Sequence, residues 1–219
     1  MNGLTMWEIE DSFWSEEIRT ICGVDEAGRG PLAGPVCAAA VILPPHLQIP
    51  GLTDSKKLTD KKRRELFPVI QEQAIAYGIG FASEKEIDGI NILQATFLAM
   101  ERALAQLAVK PDLALIDGNR ETDFGLPVKT VVKGDSLSAN IAAASILAKV
   151  TRDRMCADME REYPGYGFAG HKGYPTKAHK LAVYRLGPSP IHRKSFLGFL
   201  EKDKEKLALW DAEAAETEA

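Results

Sequence analysis

Two continuous apolar runs, Ile21 to Val24 and Val36 to Leu43, flank a Gly/Pro-rich connection, the pattern of two strands joined as a hairpin. Leu58 to Gln73 places apolar residues at helical spacing with basic residues outward, and Pro68 is expected to interrupt it. Ile75 to Ala82 returns to a strand pattern. Ser83-x-x-Glu86 then has the form of a capping box, opening a helix predicted to run to about Leu107. Leu113 to Ile116 is a short, wholly apolar strand ending in Asp117-Gly118, and Val128 to Val132 is a further strand candidate. A long helix is predicted over Ser138 to Glu162, and the small apolar residues of its first half suit close packing on a sheet. Tyr163 to Tyr174, rich in Gly and aromatics, reads as a loop, followed by short helices at about Thr176 to Arg185 and Ser195 to Trp210. From Asp211 on the chain is expected to fray. Strands in hairpin order, then alternating strands and helices, imply an α/β domain: a mixed sheet flanked by helices, with a helical C-terminal extension.

The chain has 219 residues, enough for one domain with a substantial core. No apolar run approaches the roughly 18 residues of a membrane helix, and the acidic N-terminus lacks the form of a secretory signal. Three scattered cysteines without CxxC spacing read as reduced, buried thiols of a cytoplasmic protein, a Cys22–Cys37 hairpin bridge being the lesser alternative. Charge is unevenly placed. Residues 1–20 carry five acids and one base, and residues 201–219 seven acids and three bases. Of 27 Lys/Arg and 31 Asp/Glu in all, the remainder gives the body a net charge of +4 between acidic ends. That balance permits nucleic-acid binding through a local patch without requiring it.

Chemistry is concentrated in Val24-Asp25-Glu26-Ala27-Gly28-Arg29-Gly30, an acidic pair at a strand end followed by a Gly-Arg-Gly turn. Asp25, Glu26, Asp117 and Asp135 all fall where strands end or helices begin, and a mixed sheet gathers such ends at one edge. A carboxylate cluster of this kind can hold two Mg²⁺ ions and leave positions open for phosphate and water. Each acid also has a plain role: turn former at Asp117-Gly118, helix cap at Asp135, solvated strand end at Asp25-Glu26. Gly28-x-Gly30-x-x-Ala33 formally matches a dinucleotide fingerprint, with Asp54 downstream, but Pro31, Pro35 and the strand pattern of Val36 to Leu43 exclude the helix it needs. Asp54-Ser55-Lys56-Lys57 and Lys61-Lys62-Arg63-Arg64 form the densest basic cluster, a solvated helix face unless it lies beside the carboxylates. Tyr174, in a glycine-flexible loop with His171 and Lys172, either stacks on a base or sugar or packs the loop down. The four histidines make no zinc pattern, and Ser138 and Ser145 lack a nucleophile-elbow context.

Taken in order, these segments closely resemble bacterial ribonuclease HII. The resemblance is carried by Gly23 to Val36, Asp54 to Leu58, Ile116 to Asn119, Lys133 to Asp135, Ile141 to Asp153, His171 to Thr176 and Gly187 to Phe196, so it spans roughly residues 20–200. It implies a ribonuclease H-like catalytic domain over 21–160 and a helical, substrate-binding extension over 161–206. Outside it lie an acidic lead over 1–20 and an acidic tail over 207–219 that is expected to be disordered. It implies, too, two-metal cleavage, with Mg²⁺ or Mn²⁺, of the RNA strand of RNA–DNA hybrids and 5′ of single ribonucleotides in duplex DNA, leaving 3′-hydroxyl and 5′-phosphate ends and serving ribonucleotide removal in replication and repair. Asp25, Glu26, Asp117 and Asp135 match the family's catalytic, metal-binding acids. Gly28, Arg29 and Gly30 match the turn that senses the ribose 2′-hydroxyl, Tyr174 the stacking tyrosine, and Asp54, Ser55 and Lys56 a further substrate-binding segment. The protein is expected to act as a monomer on such duplexes, away from membranes, and the sequence names no protein partner. The alternatives are another ribonuclease H-like nuclease, which would cut all-DNA substrates, and a duplex-binding module without catalysis.

Overall fold

A computed structural model describes residues 6–120 and 122–218. Its centre is a five-stranded mixed sheet of β1 (Ile21–Ala27), β2 (Val36–Ile42), β3 (Ala76–Ala82), β4 (Leu113–Asp117) and β5 (Val128–Val131), in the spatial order β3-β2-β1-β4-β5. β1 pairs antiparallel with β2, and β2 with β3, while β1, β4 and β5 run parallel. β2, Val-Cys-Ala-Ala-Ala-Val-Ile, is buried at every position because both sheet faces are covered.

Ahead of the sheet lies a single turn, α1 (Glu8–Asp11). On one face Cys37, Ala39 and Val41 pack with α2 (Asp60–Gln73) and the alanine-rich start of α4 (Ala139–Glu162). On the other, Cys22, Val24, Ala38 and Ala40 pack with α3 (Glu84–Ala105). The predicted capping box opens α3, with Ser83 and Glu86 each bonding the other's backbone N–H. Two helices depart from expectation. α2 runs through Pro68 without ending, since its buried Leu66, Phe67 and Ile70 hold it to the core. α3 breaks at Asn91 (φ 66°, ψ 165°), whose side-chain oxygen accepts from the N–H groups of Leu93 and Gln94 and so caps the second half.

The C-terminal extension holds α5 (Phe168–His171), α6 (Lys177–Leu186), α7 (Phe199–Lys202) and α8 (Lys204–Glu218). It is stitched to the loop after β1: Leu32 N–H donates to the Gly173 carbonyl, Gly34 N–H to Ile191, and Arg193 N–H to Leu32. The single helix predicted over Ser195 to Trp210 is instead a 3₁₀ turn followed by α7 and α8.

Both acidic ends pack onto the domain. The supposed tail is helical, because Leu207 is buried against Leu32, Val183 and Phe199, and Asp211 and Glu213 meet Arg185 and Lys177 of α6. In the lead, Trp7 is buried, and Glu10 accepts from the Ser138 hydroxyl and from the backbone and side-chain N–H groups of Asn140 at the start of α4. Residues 1–5 and 219 of those segments lie outside the described residues. The three cysteines are free and buried. Among the described residues, no helix is long and apolar enough to cross a membrane.

Candidate active site

Parallel pairing of β1 with β4 brings Val24 level with Ile116, so Asp25 and Asp117 follow as neighbours at the same sheet edge. β5, parallel to β4, leads through Lys133 in the left-handed conformation (φ 59°) into a 3₁₀ turn, Gly134–Ser136, that carries Asp135. Gly134 N–H donates to Asp117 Oδ1 at 2.8 Å and locks that turn to the strand end. Oxygens of Asp25, Asp117 and Asp135 all come within 4.8 Å of one another. Glu26 stands beside this trio and not in it. Its carboxylate lines the same cavity as Asp25 and Asp117, with Oε1 3.2 Å from Arg29 Nη1.

Burial raises Asp25 well above the ordinary carboxylate range, and the charges of Glu26 and Asp117 push it further. Asp135 is raised by burial and by Asp117, against the pull of Lys56, whose Nζ lies 3.4 Å from its Oδ2. Glu26 is raised by burial, with Arg29 opposing. For Lys56, burial disfavours the charge, but Asp135, Asp25 and Asp117 together hold its pKa above the usual lysine value. Close carboxylates held above their usual pKa by burial and mutual repulsion fit a hard cation, which satisfies the oxygens and removes the repulsion at once. Asp25, Asp117 and Asp135 are therefore the residues that would hold it.

Arg193, a fully buried arginine, organises the Gly28–Gly30 turn. Its guanidinium donates to three carbonyls, Gly28 (2.7 Å), Arg29 (2.8 Å) and Gly34 (2.9 Å). In a trans peptide the N–H points opposite its carbonyl. The N–H groups of Arg29 and Gly30 therefore face away from Arg193. Arg152, also buried, braces the other flank through the carbonyls of Ala33, Pro35 and Lys172. Gly28 sits at φ 92°, and a Cβ there would fall on the Arg152 guanidinium. A Cβ on Gly30 would lie 3.3 Å from the Tyr174 ring, so the tyrosine rests directly on the turn. Asp25, Glu26, Asp117, the turn and Tyr174 together line one cavity of about 240 Å³, and Asp135 lines an adjoining one that shares Lys56 and Asp117.

The remaining predicted residues divide. Lys56 faces the acids; Asp54 turns back to cap the 3₁₀ turn Ser55–Lys57 through Lys56 N–H, and the Ser136 hydroxyl donates to it at 3.5 Å. The Ser55 side chain is buried, 2.7 Å from Ser145 Oγ, and Ser145 in turn bonds Asp25. Arg63 donates to the carbonyls of Ser55 and Leu58, so this member of the basic cluster is structural. The sequence reading missed Ser145, Arg152 and Arg193 as site residues. Ser145 left a faint signal, a lone hydroxyl among the alanines of the sheet-facing half of α4. The two arginines left none, because their partners are carbonyls of residues far along the chain.

The family model of ribonuclease HII matches residues 22–198. Ribonuclease HII of Syntrophotalea carbinolica is 58% identical over 183 residues, 84% of this chain and 88% of the relative. Among solved structures, the ribonuclease H2 of Pyrococcus horikoshii OT3 superposes with a TM-score of 0.69 at 30% identity, covering 87% of this chain and 99% of that one. Bst-RNase HIII, solved in complex with Mn²⁺, shares the fold at 20% identity, with a TM-score of 0.64 over 81% of this chain and 64% of its own. The ribonuclease H-like sheet, the acid trio at its parallel edge and these similarities lead to one conclusion: the chain belongs to the ribonuclease HII family and is a ribonuclease H hydrolase.

Proposed function

We propose that the enzyme nicks the RNA strand of RNA–DNA hybrids and cuts 5′ of a single ribonucleotide in duplex DNA, with two Mg²⁺ or Mn²⁺ ions at Asp25, Glu26, Asp117 and Asp135. The observation that carries this reading is the juxtaposition of the acid trio with a turn whose amides are aimed by Arg193. Metal ions bound there would supply activated water and neutralise charge on the scissile phosphate. The chain's own residues do the rest. Arg29 and Lys56 bring positive charge to the phosphate backbone. The Arg29 and Gly30 amides read the ribose 2′-hydroxyl, the group that separates RNA from DNA at a given position. Tyr174, a 43% exposed residue, stacks beside the junction. An RNA–DNA hybrid and a DNA duplex with one ribonucleotide, incubated with Mg²⁺, with Mn²⁺ and with chelator, test the reading. Metal-dependent cleavage to 5′-phosphate and 3′-hydroxyl ends is expected. Cleavage that persists in chelator, or 2′,3′-cyclic phosphate ends, would refute it.

A further inference from the structure

Behind Tyr174 lies a set of histidines that the proposed reaction does not use. His179 and His192 are buried, their Nε2 atoms 3.1 Å apart. His192 Nδ1 lies 3.0 Å from the Ser189 N–H and 2.7 Å from the Ser189 hydroxyl. His179 Nδ1 lies 3.0 Å from the Tyr174 carbonyl. The two ends of this chain fix every proton in it. A backbone N–H can only donate, so His192 Nδ1 accepts and its proton sits on Nε2. That proton is donated to His179 Nε2, which leaves the His179 proton on Nδ1, donated to a carbonyl that can only accept. A further proton on either ring would set N–H against N–H, at 3.1 Å between the rings or at 3.0 Å facing Ser189. The relay works only with both rings neutral.

We infer that His192 and His179 are positioning residues that act through the Tyr174 carbonyl, holding the tyrosine against Gly30 so that it can engage the duplex. The inference rests on the role proposed above for Tyr174. The tyrosine is gripped at both ends of its peptide: its carbonyl also accepts from Thr176 N–H, and its own N–H donates to the His171 carbonyl. His171 stacks on His179 with centroids 4.2 Å apart, and its ring is oriented by Gly173 N–H and the Tyr166 carbonyl. His171 stacks on His179, the Tyr166 hydroxyl donates to the Gly187 carbonyl, and Arg152 and Arg193 are committed to carbonyls. On the outer side of α6, Lys177 and Lys180 are paired with Glu213 and Asp203. Burial accordingly pulls both rings down to about 4, in keeping with the neutral relay.

A binding cycle in Ca²⁺, without turnover, tests the inference on a single-ribonucleotide duplex. His192→Leu should weaken affinity roughly tenfold, as should Tyr174→Ala, and the double variant should be no weaker than either single one. His192→Gln, which keeps a donor at the position of Nε2–H, should stay within about twofold of the parent. Additive losses, or parent-like affinity in a folded His192→Leu, would overturn the relay. Parent-like affinity in Tyr174→Ala would overturn it together with the role of the tyrosine, so the two failures are distinguishable. ¹⁵N-histidine correlation spectra of the intact chain require no variant. They should show His192 as the Nε2–H tautomer and His179 as the Nδ1–H tautomer at pH 7, and an imidazolium or a reversed tautomer at either ring would overturn the inference.

Discussion

Asp117 ends β4 with its side chain locked by Gly134 N–H, so an Asn there keeps the shape and the hydrogen bond while removing charge. Outer-sphere partners of metal ligands are worth about 10–100-fold in activity, so Asp117→Asn should reduce nicking by at least about a hundredfold. Because it also removes a like charge from the cluster around Asp25 and Asp135, its melting temperature in chelator should equal or exceed the parent's. Near-parent turnover, measured as single-turnover nicking, would contradict the assignment. The two glycines of the turn should separate in the same assays. Gly28→Ala meets both a left-handed backbone and the Arg152 guanidinium, so it should lose stability and activity together. Gly30→Ala meets only the edge of the Tyr174 ring, so melting should stay close to the parent while preference for ribonucleotide over deoxyribonucleotide falls.

Most of the elements were legible because their signals are local: the apolar run of β2, the Ser83–Glu86 capping box, the small residues of α4. What was not legible depends on distant partners. Asn91-Ile-Leu-Gln94 carries a helix-start pattern, but it is masked by lying inside a 22-residue stretch with continuous helical spacing. Asn91→Ala should destabilise by about 2 kcal/mol in urea unfolding, since it loses the cap and keeps an unfavourable φ, whereas Asn91→Gly should cost under about 1 kcal/mol. Leu207 falls at the border between the helix predicted to Trp210 and the acidic tail, and its sequence neighbours do not show that the extension buries it completely. Arg193 lies in a basic run that reads as surface. Burial and the nearby Arg152 bring its pKa down to about 9, still charged at neutral pH, and its three carbonyl contacts hold the loop of Gly28, Arg29 and Gly34 to the extension. Arg193→Lys cannot fork to three acceptors and should lose about 3 kcal/mol of stability, with ribonucleotide preference reduced in the folded fraction.

In the molecule as a whole, the sheet edge supplies the acids while the C-terminal extension aims the turn and the tyrosine at them. The carboxylates could be picked out one by one from the sequence, but their convergence needed the parallel pairing of β1, β4 and β5. The extension also sets an acid limit on the fold. His179 and His192 titrate near 4 when folded and near 6.5 when unfolded, so the unfolded chain binds more protons between those values. Stability should therefore be fully present above about pH 6.5 and decline toward pH 4, on the order of 3 kcal/mol for one ring. Urea unfolding at pH 7 and pH 5 should show a smaller loss in His192→Gln than in the parent; an equal loss would place the acid sensitivity elsewhere.

The union of a metal-holding acid cluster with a 2′-hydroxyl reader is tested most directly by single-turnover cleavage of two duplexes that differ in one oxygen. One carries a ribonucleotide at a defined position, the other the matching deoxyribonucleotide, both with Mg²⁺ or Mn²⁺ present. A cut immediately 5′ of the ribonucleotide, with the all-DNA duplex left intact, is the predicted result. Comparable cleavage of both duplexes, or none of the ribonucleotide-bearing one, would contradict it.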